Sequence, residues 1–106
     1  MPGSLEFINA FRKHHRQTPN QHAGIAYAAA QILEQAILKA RSIDRAAVRE
    51  ALASMDISDT IIGRYAVDRD GLQVKRFPLI IQWQGDKREI VWPEDLRTAE
   101  PILNKN

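Results

Sequence analysis

The sequence lacks several features on which common protein functions depend. None of its 106 residues is cysteine, which excludes disulfides, thiol catalysis and cysteine-rich zinc sites. No apolar run approaches the roughly 20 residues that a membrane-spanning helix requires. The five glycines are scattered, so they form no phosphate-binding loop, and no Gly-x-Ser-x-Gly nucleophile turn is present. With no activated nucleophile and no perturbed acidic pair in view, we expect a protein that is not an enzyme and uses no cofactor.

The composition is that of an ordinary globular domain, with 44% hydrophobic and 26% charged residues. Its length predicts a single domain over residues 1–106. The opening MPGSLEF lacks the positive start and apolar core of a secretory signal. The segment Gly3–Phe7 also resembles residues left by a cloning site, so no prediction is based on residues 1–4.

The small net charge of +2 comes from the first 22 residues, where Arg12, Lys13 and Arg16 oppose Glu6. No aromatic side chains are interleaved with these cations, which favours a solvent-exposed helix end over a nucleic-acid site. We therefore expect no nucleic-acid partner. His14 and His15 point about 100° apart on a helix, and no carboxylate stands at ligand spacing from them. We therefore expect no metal site.

Three helices are predicted in the first half of the chain. Residues 4–16 form the first, capped by Ser4, and Thr18-Pro19-Asn20 ends it. Residues 21–41 form the second. Ser42 or Asp44 caps a third, amphipathic helix that runs to about Met55.

The apolar period changes to that of strands after residue 58. The pattern predicts a strand over Thr60–Val67, interrupted at Gly63, and a turn at 68–71. A continuous apolar strand over Phe77–Trp83 is expected to be buried on both faces. After a turn at 84–87, a third strand covers Glu89–Trp92, and a polar tail is anchored at Pro101-Ile102-Leu103. The fold class is α/β, or α+β for this chain alone: three helices and then an antiparallel meander.

The second helix is unusual, because Ala23–Ala30 carries no charge and is apolar on every side. Small side chains at Ala26, Ala29 and Ala30 permit close approach of a neighbour. Tyr27 stands among them, either as a core tyrosine bonded to backbone or as part of a site. Trp83 and Trp92 are large anchors for core or interface packing.

The order of these segments resembles the C-terminal part of the leucine/isoleucine/valine-binding solute receptors of ABC transporters, which have the type I periplasmic binding fold. The resemblance covers about residues 5–103. It is carried by a series of motifs in the same order: Tyr27-Ala28-Ala29, Asp44 to Leu52, Thr60 to Gly63, Asp68 to Gly71, and Ile81-Gln82-Trp83 followed by a glycine turn and Val91-Trp92-Pro93.

The resemblance implies a role in amino-acid transport. Such receptors close two lobes on an amino acid or related solute and deliver it to a membrane permease. The start of the aromatic-alanine helix approaches the cleft, which corresponds to His22 here, with Tyr27 one turn further. The 77–83 strand resembles a segment that crosses between lobes. The resemblance implies a periplasmic location, while the missing signal leaves the cytoplasm open for this chain.

Most of the segments that grip the solute in such receptors precede the region matched here. We therefore expect a receptor fragment that is not ligand-competent alone. The alternative is a stand-alone, self-associating interaction module without enzyme activity. In either case we expect a homo-oligomer with Ala26, Ala29, Ala30 or Trp83 at the contact.

Overall fold

The structure, a computed structural model, describes residues 3–75 and 78–104. They form three helices and two small antiparallel sheets, which confirms the predicted mixed α/β class. The elements in chain order are α1 Ser4–His15, α2 Gln21–Ala40, α3 Arg45–Ser54, β1 Ile57–Thr60, β2 Gly63–Tyr65, β3 Ile80–Gln84, β4 Lys87–Trp92 and a 3-10 turn at Glu94–Leu96. The chain divides into two compact units, Met1–Arg76 and Phe77–Asn106. That they act as one domain stays a prediction.

Short polar side chains set the starts of α2 and α3. The Asn20 Oδ1 accepts a hydrogen bond from the Ala23 backbone N–H at 2.9 Å. The Asp44 Oδ2 accepts from the backbone N–H groups of Ala46 and Ala47, both at 3.1 Å. Each carboxamide or carboxylate thereby satisfies helical N–H groups that lack an intrahelical acceptor.

The predicted cap of α1 is wrong. Gly3 holds the cap position with a left-handed φ of 77°, and Ser4 is already helical. The Ser4 hydroxyl donates instead to the Ile61 carbonyl oxygen at 3.4 Å. Gly3 satisfies the geometry because it tolerates positive φ without a Cβ clash.

The core of the first unit lies between α2 and α3 and is built from small side chains. Ala36, Ala51 and Met55 are buried there. Because alanine projects so little, the two helix backbones can approach closely along this seam. Partly buried residues around it come from α2, α3 and the following hairpin: Ile32, Ala40, Val48, Leu52, Ile57 and Tyr65.

The single strand predicted over Thr60–Val67 is wrong: this segment holds the turn and the second strand of a hairpin. Strands β1 and β2 pair antiparallel, with Thr60 opposite Gly63, so the chain reverses at Ile61 and Ile62. The Thr60 hydroxyl donates to the Gly63 carbonyl at 2.6 Å and accepts from the Ile62 N–H at 3.3 Å. Gly63 has φ 99°, which a β-branched residue would not adopt, so this glycine ends a turn.

The turn predicted at 68–71 is confirmed. The Asp68 Oδ1 accepts from the backbone N–H groups of Asp70 and Leu72, each at 2.9 Å. Gly71 takes φ 81°. The Asp68 side chain therefore stabilises the turn that it begins, as expected for an Asx turn.

The second unit is a hairpin of β3 and β4 followed by an extended segment. Gln84 pairs with Lys87 across the turn that the sequence predicts. The expectation that the apolar strand is buried on both faces is wrong, since Ile80, Ile81 and Trp83 are 52–67% exposed. A two-stranded hairpin covers neither of its own faces. Phe77, the predicted start of this strand, lies outside the described residues.

The tail is held by glutamine rather than by its apolar residues. The Gln82 amide donates to the Ile102 carbonyl and accepts from the Ile102 N–H, both at 2.8 Å. The Gln84 amide donates to the Glu100 carbonyl at 2.7 Å. The side chains of Ile102 and Leu103 stay exposed, contrary to the predicted apolar anchor.

The substitution Asp44→Ala is expected to lower the free energy of unfolding by about 1 kcal/mol, because α3 loses both cap hydrogen bonds. Urea denaturation followed by circular dichroism measures this loss. Glu34→Ala, at an exposed position inside α2, is the control and should change stability by less than about 0.5 kcal/mol. Equal losses in the two variants would contradict the capping role.

The substitution Gln82→Ala is expected to release the 100–103 segment, since both hydrogen bonds to Ile102 disappear. Amide exchange by NMR should show the Ile102 N–H exchanging at the rate of an unfolded peptide. Gln82→Glu keeps the acceptor for that N–H and should retain part of the protection. Unchanged protection of Ile102 in the alanine variant would show that other contacts hold the segment.

Candidate functional site

The first unit carries two surfaces that warrant attention as candidate sites. One is a groove of about 380 Å³ between α1 and α2, named here the aromatic groove. Its lining residues are Glu6, Phe7, Ala10, Phe11, His14, His15 and Tyr27. The other is a groove of about 290 Å³ between α2 and α3. Its lining residues are Leu33, Ile37, Ile43, Arg45, Val48, Arg49 and Leu52.

The aromatic groove is organised by rings that contact one another. The Phe7 ring lies 4.8 Å from the Tyr27 ring and 5.8 Å from the Phe11 ring, measured between centroids. His15 continues the row at 4.4 Å from Phe11. Four-residue spacing on α1 puts Phe7, Phe11 and His15 on one side of the helix. The helical stripe of Phe7 and Phe11 is visible in the sequence, but its extension to His15 and Tyr27 is not.

Tyr27 is not a core residue. Its side chain is 46% exposed, and its hydroxyl makes no hydrogen bond to another residue of the described segments. The interpretation as a buried tyrosine bonded to backbone is therefore wrong. The ring contacts that of Phe7 at a tilt of 41°.

His22 and Tyr27 do not converge on one site. His22 is exposed in the first turn of α2, just after the Asn20 cap. The five-residue step from His22 to Tyr27 rotates the side-chain direction by roughly 140° around the helix. Tyr27 lines the aromatic groove, whereas His22 projects from the side of α2 that carries Ala26 and Ala29.

The alanines proposed for an interface are exposed. Ala26, Ala29 and Ala30 face outward, while Ala28 and Ala36 on the same helix are fully buried. Leu33, 47% exposed, continues the alanine row toward the α2–α3 groove. We name this continuous surface the α2–α3 apolar face; its members are Ala26, Ala29, Ala30, Leu33, Ile37, Val48 and Leu52.

Trp83 in the second unit is also exposed, at 67%. The Arg88 guanidinium lies 5.8 Å from the centre of its ring, a cation–π distance. Trp92 is 44% exposed. Neither tryptophan is buried within the hairpin, so both are available for packing against another surface.

Within residues 3–75 and 78–104, no group of three or more histidine or acidic side chains is placed to hold a metal ion. In the same ranges no helix is both long and apolar enough to cross a membrane. One guanidinium nitrogen of Arg64, Nη2, donates to both carboxylate oxygens of Asp56 at 3.1 and 3.2 Å, which links β2 to the residue before β1.

Comparison of the sequence with known proteins places the chain in a family. A sequence model described as periplasmic binding protein matches residues 1–88, and the chain belongs to that family.

The chain is similar to curated proteins named Leu/Ile/Val-binding protein homolog 7. It is 30% identical over 103 residues to the one from Brucella suis biovar 1 (strain 1330), and 29% identical to that from Brucella abortus (strain 2308). In both cases the match covers 93% of this chain but 26% of the relative. The chain thus spans about a quarter of the length of these relatives.

If the Tyr27 ring alone supports the aromatic groove, Tyr27→Phe should leave the free energy of unfolding unchanged within about 0.5 kcal/mol. Tyr27→Ala should lower it by about 1–2 kcal/mol, because the contact with Phe7 is lost. Urea denaturation of both variants measures the difference. A Tyr27→Phe loss as large as that of Tyr27→Ala would show that the hydroxyl has a partner after all.

Proposed function

We propose that this chain forms the C-terminal part of a solute receptor of an ABC transporter that binds branched-chain amino acids or a related small molecule. The observation that carries the proposal is the match over 93% of the chain to Leu/Ile/Val-binding protein homologues. The family match over residues 1–88 supports the same class. The receptor would work in the periplasm, deliver its solute to a membrane permease and perform no catalysis.

His22 and Tyr27 are proposed to contribute to the solute cleft of the complete receptor. Both side chains are exposed at the N-terminal half of α2, so neither is committed to the core of the first unit. The His22 imidazole can donate a hydrogen bond to a carboxylate, and Tyr27 offers both a ring face and a free hydroxyl. Because they point in different directions, we expect His22 to contact the solute and Tyr27 to pack at the edge of the cleft.

The chain alone is proposed not to capture the solute. A small-molecule pocket normally encloses most of its ligand and fixes it with convergent polar groups. The two grooves described above are open to solvent, and their linings are mainly apolar or aromatic. The aromatic groove carries Glu6, His14 and His15, but it is open to solvent and would leave most of an amino acid exposed, unlike a pocket that encloses its ligand.

A second candidate function is self-association, favoured by the amount of surface left exposed. The accessible area of the chain is 8655 Å². Large apolar side chains contribute to it: Leu33, Ile43 and Trp83 are 47%, 84% and 67% exposed. Exposed apolar side chains of this size favour association with another surface.

A chimera tests the receptor proposal most directly. Residues 3–104 replace the matching segment of the Brucella suis relative, and isothermal titration calorimetry follows leucine, isoleucine and valine. We expect the chimera to bind the solute that the unaltered relative binds, with a dissociation constant within about tenfold. The isolated chain is titrated in parallel and should give no binding heat. A chimera that is folded, as judged by circular dichroism, but binds none of the three amino acids would overturn the receptor proposal. Micromolar binding by the isolated chain would overturn the separate proposal that this chain alone does not capture the solute.

Within the chimera, His22→Ala is expected to weaken binding about tenfold or more, because a charge-assisted hydrogen bond to the solute is lost. Glu34→Ala, at an exposed position of α2 that lines neither groove, is the matched control and should bind like the parent chimera. Equal affinities in all three proteins would remove His22 from the site.

A further inference from the structure

We propose that the face of β3 carrying Gln82 and Gln84 is a binding site for an extended peptide segment, which it recognises through the backbone rather than through the side chains. Residues 100–103 of the chain itself occupy this site in the structure. The two glutamines stand two positions apart on β3, so their side chains point to the same face of the strand. The inference goes beyond the receptor role proposed above and does not depend on it.

The glutamine amides bond to the segment as the backbone of a neighbouring strand would. The Gln82 side chain donates to the Ile102 carbonyl and accepts from the Ile102 N–H, both at 2.8 Å, which satisfies both polar backbone groups of one residue. The Gln84 amide donates to the carbonyl of Glu100, two residues earlier, at 2.7 Å. The site therefore contacts alternate residues of the segment, which is the repeat of a β-strand.

The two glutamines also hold each other in place. The Gln84 Nε2 donates to the Gln82 Oε1 at 2.9 Å, so its two amide hydrogens serve Gln82 and the Glu100 carbonyl. Both glutamine side chains belong to half-buried residues. This contact fixes the orientation of both amides, which lowers the entropy lost when a segment binds.

The side chains of the bound segment contribute little to its recognition. Those of Ile102 and Leu103 are 58% and 77% exposed. The Glu100 carboxylate makes an ion pair, at 2.8 Å, with Arg97 of the residues that lead into the segment. A segment with other side chains at positions 102 and 103 should therefore fit the glutamines equally well.

Proline distinguishes the positions of the segment. Pro101 lies between the two bonded residues, so its missing N–H costs no contact with the glutamines. It also restricts Glu100 to extended backbone, the form that the site accepts. Ile102, by contrast, must supply its N–H to Gln82. The site therefore selects an extended segment in which the second residue can be proline and the third cannot.

A peptide titration tests the site in the full chain. A variant with both Glu100→Ala and Ile102→Pro loses the ion pair and the N–H that hold its own segment, which frees the glutamines. NMR follows the side-chain amide signals of Gln82 and Gln84 while an acetylated, amidated peptide of residues 99–104 is added to millimolar concentration. We expect saturable shifts of both signals. The unaltered chain should bind the peptide at least about tenfold more weakly, because its own segment occupies the site.

Two altered peptides and one further variant are the controls. A peptide with alanine in place of Ile102 and Leu103 should bind within about threefold of the parent peptide, since backbone groups make the contact. A peptide with proline in place of Ile102 should give no shift. Leu103→Pro in the chain adds a proline without removing a bonded N–H, so this variant should behave like the unaltered chain.

Three results would overturn the inference. Equal shifts with the proline peptide would show binding that does not use the Ile102 N–H, and loss of binding by the alanine peptide would show recognition through side chains. The third is no shift in the double variant while the amide signals of β3 and β4 show an intact hairpin.

A second measurement needs no substitution in the chain. Excess unlabelled peptide should speed the amide exchange of the unaltered chain's own Ile102 N–H, because the peptide displaces it from Gln82. Exchange that stays unchanged at millimolar peptide would contradict the proposal, whatever the double variant does.

Discussion

The structure depends on a close approach of α2 and α3 at buried alanines. Ala36 is fully buried and Ala51 nearly so, and in the described segments no fully buried side chain is larger than that of Thr60. Such a seam positions helices well because small side chains let backbones come close. It removes little apolar area from water, however, and burial of apolar area is the main favourable term in folding. Many of the larger apolar side chains in the described segments remain exposed, among them Leu33, Ile43 and Trp83.

The small side chains between α2 and α3 leave much apolar surface exposed, which is consistent with the family relationship. The chain spans about a quarter of the length of these relatives. In the proposed receptor, Leu33, Leu38, Ile43, Ile81 and Trp83, each more than 45% exposed, would pack against other parts of the protein. The capped helices and hydrogen-bonded turns need no neighbour, because their polar groups are satisfied locally.

The sequence predicted those features that depend on local chemistry. Helix bounds came within a residue, the Asp44 cap and the Asp68 turn are present, and the glycine turn at Gly85 closes the β3–β4 hairpin. Burial was harder to predict, because it depends on which surfaces meet. The continuous apolar run at 79–81 resembled a buried strand, yet a two-stranded hairpin has nothing to cover it.

The reversal at Ile61 and Ile62 was missed for a related reason. Two β-branched residues favour a strand, but Thr60 and Gly63 supply a hydroxyl bridge and a positive φ that override that preference. At the candidate site, the sequence singled out Tyr27 but not the row of rings that it joins. That row requires α1 and α2 to meet, which periodicity within either helix does not specify.

We propose that this chain does not bury enough apolar surface to be stable without a partner copy. The most direct measurement is the urea midpoint of unfolding at protein concentrations from about 1 to 100 μM. Association that stabilises the folded chain makes the midpoint rise with concentration. We predict that the urea midpoint rises clearly across this range. A midpoint independent of protein concentration would show that the chain is stable without a partner copy.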